Sequence, residues 1–403
     1  MAILTMLVLL LVVSAGCIGG PDSVADRDIV VLKLNADGVA QWTKTIDTGE
    51  DDGAEDLVEF PGGGFAIAAQ NGSDPRHPAR PRFIRLSPDG TVQWDRFVTE
   101  GSYIARAVVP VGNGGTAVLT GNGTVVRFDD AGRIVWTRAT GVSEAQALLR
   151  LADGGLVAGG RVTYYTNTNI TIPPVPGASA LPDPARFVAG EEGMAARLSA
   201  DGGIVWERRY GGSGLEQAQS LVESPDDAGV LLVGVGERAN ATPDTPFLAL
   251  RLAPDGTPQT VVQLGIGGPR TAAVPSGGRA EPAGYRVLYW NDRSTPNLTQ
   301  GSVTDAFLDR DGSVLECLDL NASLAVARTA DGGYVSVGIP FGEGAGYSDF
   351  GWAPTSAFHT LRFDSRGALA WNRALPVGLI SQVRKIVPTA DGGYAVLALR
   401  TNE

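Results

Sequence analysis

Few side chains in this 403-residue chain are suited to covalent or metal chemistry, for it holds two histidines, two cysteines and three methionines. His77 lies in the loop sequence Asp74-Pro75-Arg76-His77-Pro78 and His359 begins a strand-like run. Neither has the neighbours of a nucleophile, base and orienting acid, so both read as solvated or packed imidazoles. The scattered thiols and imidazoles do not make a zinc or copper set. Asp309-Arg310-Asp311-Gly312 with Glu316 has part of the ligand spacing of a calcium loop, but the third acidic position is missing and no metal is assigned there. Asp51, Asp52, Glu55 and Asp56 form an acidic cluster that reads as a solvated loop. Cys317 reads as a small buried hydrophobe. No catalytic residue, metal or cofactor is therefore assigned.

Other residues point to modification and binding. Ala2 to Gly16 is an uncharged apolar run of fifteen residues, too short for a comfortable bilayer span, and it ends in small residues before Cys17. Val13-Ser14-Ala15-Gly16-Cys17 resembles a lipoprotein signal box, which implies cleavage after residue 16, acylation of Cys17 and a polar tether over residues 17–27. A single acyl chain holds a protein only marginally, so a two-chain lipid is the physically sensible anchor. Six of the twelve asparagines (Asn71, Asn122, Asn169, Asn240, Asn297 and Asn321) begin Asn-x-Ser/Thr triplets, the acceptor pattern for surface glycans in a secreted chain. Tyr164, Tyr165, Trp290, Tyr347 and Trp352 stand outside the tryptophan repeat described next, most of them in or beside long connections. Exposed aromatics of this kind anchor a protein or glycan partner.

These residues must be carried by a repeat. Leu34, Leu86, Phe128, Leu198, Leu252, Leu308 and Phe363 each lie four residues before Gly38, Gly90, Gly132, Gly202, Gly256, Gly312 and Gly367. A basic residue precedes six of these apolar positions (Lys33, Arg85, Arg127, Arg197, Arg251 and Arg362), and an apolar one precedes that, so the period is two and the segments are strands. Beyond the turn, Trp42, Trp94, Trp136, Trp206 and Trp371 recur four residues past the glycine, while Thr260 and Glu316 take that place in copies five and six. An aspartate before the glycine in most copies suits a tight hairpin that needs positive φ. A second hairpin type alternates with the first, as in Asp153-Gly154-Gly155-Leu156, Asp331-Gly332-Gly333-Tyr334 and Asp391-Gly392-Gly393-Tyr394.

Two hairpins per repeat, seven times over, predict an all-β fold: a seven-bladed β-propeller of four-stranded antiparallel blades spanning residues 28–403. The chain opens on the tryptophan-type hairpin (29–46) and closes on a glycine-type one (383–399), and pairing these two halves closes the ring. Tight turns then share one face and the long connections the other, including a Pro-rich insertion at 161–190. The aspartates of the tight turns read as turn chemistry first and an acidic surface second.

The combination of Asp-Gly-Gly-Tyr, Leu-x-x-Asp-Gly-x-x-x-Trp and Tyr210-Gly211-Gly212-Ser213-Gly214 resembles the propeller repeats of bacterial and archaeal surface proteins and lipoproteins over nearly the whole mature chain. Its tryptophan half is also similar to the repeats of pyrroloquinoline-quinone dehydrogenases and of outer-membrane assembly lipoproteins. The resemblance implies architecture and not activity. With 44 acidic against 32 basic residues and a formal charge of -12, the chain offers no basic field for nucleic acid. The sequence thus reads as a monomeric, lipid-anchored, non-enzymatic binding module for a surface protein or glycan. The alternatives are an extracytoplasmic enzyme of quinoprotein-dehydrogenase type and an assembly factor for envelope proteins.

Overall fold

The structure, a computed structural model, describes residues 26–72, 79–98, 104–166, 187–210, 215–236, 245–267, 277–281, 283–291, 302–310, 313–320, 325–338, 358–376 and 380–401. Every regular element among them is a strand, and no helix there is long and apolar enough to cross a membrane. The chain opens with β1 (Arg27–Leu34) and β2 (Ala40–Ile46). Blade one is β3 (Asp52–Glu59), β4 (Phe65–Asn71), β5 (Arg80–Leu86) and β6 (Val92–Phe97). Blade two is β7 (Ala105–Pro110), β8 (Thr116–Thr120), β9 (Thr124–Phe128) and β10 (Ile134–Ala139). Blade three is β11 (Glu144–Arg150), β12 (Leu156–Thr166), β13 (Phe187–Leu198) and β14 (Ile204–Arg209). Blade four is β15 (Leu215–Glu223), β16 (Val230–Gly236), β17 (Thr245–Leu252) and β18 (Pro258–Gly267). Blade five is β19 (Gly277–Glu281), β20 (Gly284–Asn291), β21 (Ser302–Asp309) and β22 (Val314–Leu320). Blade six is β23 (Ala325–Arg328), β24 (Tyr334–Gly338), β25 (His359–Phe363) and β26 (Leu369–Ala374). The last strands are β27 (Ile380–Pro388) and β28 (Tyr394–Thr401).

Six sheets take their strands in chain order, and the seventh has the order β2-β1-β28-β27. In that seventh blade β1 and β28 pair antiparallel from Arg27 with Thr401 to Leu34 with Tyr394. The ring is therefore closed by its two termini, as the unpaired hairpins at either end of the sequence require. The first strand of each blade lies innermost, where β27, β3, β7, β11, β15 and β19 follow one another as neighbours. The strands that carry the repeat tryptophans lie outermost.

The apolar core is divided into seven clusters, one in each gap between adjacent blades. Residues of β4 show the division: Phe65, Ile67 and Ala69 pack toward the terminal blade, whereas Ala66 and Ala68 pack toward blade two. Middle strands are buried on both sides and so lack polar alternation, and the small residues along them let neighbouring sheets approach.

Two repeated contacts explain the sequence signature. Each repeat tryptophan lies over the turn glycine of the following blade: Trp42 over Gly90, Trp94 over Gly132, Trp136 over Gly202, Trp206 over Gly256, and Trp371 over Gly38 across the ring closure. The indole N–H of Trp42, Trp94 and Trp206 donates to the carbonyl of Pro88, Asp130 and Pro254 in those turns, at 3.0, 2.9 and 2.9 Å. The glycine thus serves two purposes, a positive φ and an empty Cβ position beneath a ring. In four blades the basic residue of the third strand reaches the aspartate of the glycine-type turn in its own blade, giving Arg197 to Asp153 at 2.6 Å, Arg251 to Asp227 at 3.0 Å, Arg362 to Asp331 at 2.6 Å and Lys33 to Asp391 at 2.8 Å. The Lys33 pair joins the two ends of the chain. Where blade one has Gly62 in place of the aspartate, Arg85 lies over the Phe60 ring at 3.3 Å and burial lowers its pKa to about 10.

Candidate functional site

Antiparallel blades place the short turns after first and third strands on one face, the turn face, and all other connections on the opposite one, the loop face. On the turn face the aspartates are held by their own turns. Asp89, Asp201 and Asp255 accept hydrogen bonds from Ser87, Ser199 and the Thr257 N–H, which keep their carboxyls below the ordinary carboxylate range. Turn chemistry therefore accounts for this acidic rim.

The loop face opens on the central channel, whose wall is built by irregular first strands. In five of them a residue at the same repeat position is bulged out of register with the second strand: Glu55 in β3, Arg106 in β7, Gln146 in β11, Gln219 in β15 and Arg384 in β27, while β15 and β27 carry a second shift nearer their starts, at Glu216 and Ser381. Each is half-buried and follows a small residue, and Ala54, Ala105, Ala145 and Ala218 are fully buried in the gaps between blades. A bulge sets two residues against one and re-aims the extra side chain, here away from the interblade core and into the channel. The five positions are equivalent in the repeat, so they form a belt of long polar side chains at one level.

Three of the members, Glu55, Arg106 and Arg384, share a space. Arg384 Nη2 lies 3.6 Å from Glu55 Oε1. Burial lowers the pKa of Arg106, Glu55 and Glu144 act to raise it, and Arg384 lowers it further. Arg106 has no hydrogen bond or ion pair among the described residues, and its Nε is buried without a partner, as is that of Arg384. Gln219 Oε1 is also buried and unpartnered. Next to the belt, Lys385 pairs with Asp56, whose other oxygen accepts the Val108 N–H of blade two at 2.9 Å, tying three blades together.

The acidic cluster expected in a solvated loop is instead the start of the innermost strand of blade one. Asp51 and Asp52 are buried. Arg27 donates to Asp51 at 2.6 and 2.7 Å, and Arg82 bridges Asp52 at 2.9 Å and Asp95 at 2.9 and 3.0 Å. Carboxylates with charge-paired partners are compatible with a strand, and these partners lie elsewhere in the sequence. Burial raises the Asp52 carboxyl to about 6, against the opposing pull of Arg82 and of hydrogen bonds from Thr48. Nearby, carboxylate oxygens of Asp26, Asp28 and Asp47 lie within 4.8 Å of one another, a donor set suited to a hard cation, with Asp28 also bound by Arg400 at 2.5 Å.

The remaining expected sites fare as follows. Tyr164 and Tyr165 belong to β12 and Trp290 to β20, so they are in strands that continue the blades toward the loop face; their side chains lie outside the described residues. Residues 161–166 at the start of the Pro-rich insertion pair antiparallel with residues 187–193, from Arg161 with Gly193 to Thr166 with Phe187. Tyr347, Trp352, Cys17, His77, Asn169, Asn240, Asn297 and Asn321 lie outside the described residues. Asn71 is the last residue of β4 and not part of a connection; it is 5% exposed and its amide donates to Thr48 Oγ1 at 2.7 Å. Asn122 occupies the β8–β9 turn on the loop face, with its oxygen accepting from Thr120 at 2.6 Å. Cys317, expected to be buried, is exposed on the outermost strand of blade five, because at that level β22 has no outer neighbour. Glu316 beside it faces Arg286 at 3.2 Å, and Asp311 and Gly312 of the calcium-like stretch lie outside the described residues. His359 Nδ1 meets Asn372 Oδ1 at 2.5 Å in the neighbouring strand, a packed imidazole.

The bulged belt escaped the sequence reading. Its only signal is a long polar residue after an alanine or valine at one position of the first strand, and the identities Glu, Arg, Gln, Gln and Arg share no chemistry that would draw attention.

Sheet order, closure and interblade cores define a seven-bladed β-propeller. Among solved structures, the crystal structure of BamB from Moraxella catarrhalis is similar to this chain, covering 91% of it and 91% of its own length at 13% identity and a TM-score of 0.41. No family model matches the chain, and no curated protein matches it.

Proposed function

We propose that this propeller is a non-enzymatic binding module of the cell envelope, held on the outer side of the membrane by a lipidated Cys17, that engages a surface protein or glycan through its loop face. The observation that carries the reading is the segregation of the two faces: the turn face is closed by short hairpins, most of whose carboxylates are engaged in their own turns and latches, while the strand ends that carry the long connections lie on the opposite face. Ligands of propellers and other repeat folds bind where the loops vary.

The start of the first strand adds an orientation. β1 begins at Arg27 on the loop face, and Arg27 is pinned there by Asp51. Ten residues of tether reach at most about 35 Å when fully extended, so under this reading the loop face stays close to the bilayer and its partner is membrane-proximal.

Photo-crosslinking on intact cells tests the proposal, with the reactive residue at Asn122 on the loop face or at Ser365 on the turn face. Specific neighbours captured from Asn122 and not from Ser365 are expected, together with release of a Cys17→Ala variant from the membrane. Capture from Ser365 alone, or a Cys17→Ala variant that stays in the membrane fraction, would overturn it.

A further inference from the structure

We infer that Arg106 in the channel is a receptor for a single carboxylate group, carried into the mouth by a ligand whose remaining atoms contact the bulged glutamines. A guanidinium nitrogen buried without an acceptor is unfavourable and calls for a compensating partner, and Arg106, half-buried overall, has its Nε in that state. Among the described side chains of the first-strand wall near this level, the other cations have carboxylates: Arg384 has Glu55 at 3.6 Å, and Lys385 has Asp56. Arg161, further up the same side, has Glu144 and Glu191, each at 2.5 Å. Arg106 has none among the described residues, although Glu55 and Glu144 are near enough to act on it through space.

The charge arrangement selects the ligand. A planar guanidinium matches the two oxygens of a carboxylate, and one unpaired positive charge balances one negative charge. Glu55 and Glu144 on either side disfavour a dianion such as a phosphate monoester. Around the wall, Gln146 and Gln219 offer amide donors and acceptors for a neutral polar body, and Gln219 Oε1 is buried without a partner. The ligand is thus a carboxylate with polar neutral groups, supplied either by a small organic acid or by the free C-terminus of a peptide.

The site shares its mouth with the loop face and rests on the binding reading given above only for its biological partner; its chemistry is testable on the purified chain alone. Calorimetric titration and thermal shift with succinate monoamide, and with a tetrapeptide bearing a free or an amidated C-terminus, are read at constant ionic strength. Saturable binding of at least one free-carboxylate probe is expected, with no binding of the amidated peptide, and the better probe identifies the source. In Arg106→Gln the affinity falls at least about tenfold, the loss expected of a charged hydrogen bond, while an exposed control, Arg133→Gln, leaves it unchanged. Arg106→Gln itself should melt at or above the parent's temperature, because no hydrogen bond or ion pair is lost and the desolvation of the guanidinium outweighs the pull of Glu55 and Glu144. The inference is overturned if no carboxylate probe binds the parent, if Arg106→Gln binds as tightly as the parent, or if the substitution destabilises the unliganded fold. Failure of cell crosslinking with retained carboxylate binding removes the partner reading and leaves the site standing.

Discussion

Alanine placed at Gly132 should cost far more than alanine at Gly392, although the two turns have nearly the same backbone. Gly132 has φ +74 and Gly392 has φ +82. Moving a residue with a Cβ into this region costs about 1–2 kcal/mol wherever it occurs. At Gly392 nothing lies within 4 Å of the new Cβ, so the cost ends there. At Gly132 the Cβ would stand 2.8 Å from Cγ and Cδ2 of Trp94, a ring that is 6% exposed and tied to the Asp130 carbonyl. Overpacking of this kind adds about 1–3 kcal/mol. Gly132→Ala should therefore destabilise by about 2–5 kcal/mol in urea unfolding, against about 1–2 kcal/mol for Gly392→Ala. Repeating the first substitution in a Trp94→Leu background should reduce its cost to that of Gly392→Ala, a coupling that a double-mutant cycle measures directly. Equal costs at the two glycines, or a Gly132 cost unaffected by Trp94→Leu, would show that the turn conformation alone demands glycine and that the ring-over-glycine contact does not join the blades.

Arg82→Gln should cost about 3–5 kcal/mol near pH 8, since it leaves Asp52 charged and buried. Burial holds the Asp52 carboxyl at about 6 in the folded chain against 3.8 for the free group, so its contribution to stability is fully present below the ordinary value and is lost as pH rises through about 6. The Arg82→Gln penalty should accordingly be smaller at pH 5 than at pH 8, and equal unfolding penalties at both would contradict this account. The Lys33 latch has the opposite sign. Burial works against ionisation of Asp391, yet hydrogen bonds from Lys33, Thr389 and the Gly393 N–H hold its carboxyl down to about 2, so its stabilisation is present above pH 3.8 and lost as the pH falls toward 2. Asp391→Asn should remove that acid-dependent component from the melting curve; an unchanged acid limb refutes the latch. Cys317 should react with a maleimide in the native protein at the rate of an exposed thiol, and intact-mass analysis should find one label per chain when Cys17 is lipidated and two when it is free.

Much of this fold was legible because the turn chemistry repeats. A glycine four residues after an apolar position, taken seven times and followed four residues on by a tryptophan in five of them, with a second glycine turn between, leaves few architectures, and the unpaired hairpins at residues 29–46 and 383–399 leave one closure. The acidic run Asp51, Asp52, Glu55 and Asp56 was not legible as a buried strand, since carboxylates tolerate burial only beside cations that the sequence places elsewhere: Arg27, Arg82, Arg384 and Lys385. Cys317 shows the reverse error, an apolar-looking strand position that is exposed because the outermost strand has no further neighbour.

The sequence by itself determined the number of blades, the places of the turns and the side of the disc on which the long connections fall, because these depend on local backbone preference and on a count. Only the tertiary structure decided why the turn glycine must lie under the tryptophan of the preceding blade, and why four turn aspartates each meet a cation two strands away. It also decided that five bulged residues of unlike chemistry form one belt in the channel, with Arg106 left without an ion pair among the described residues. Those facts arise from closing the ring, which brings positions separated by whole repeats to within a few ångströms, and no local pattern encodes which charges will then find partners.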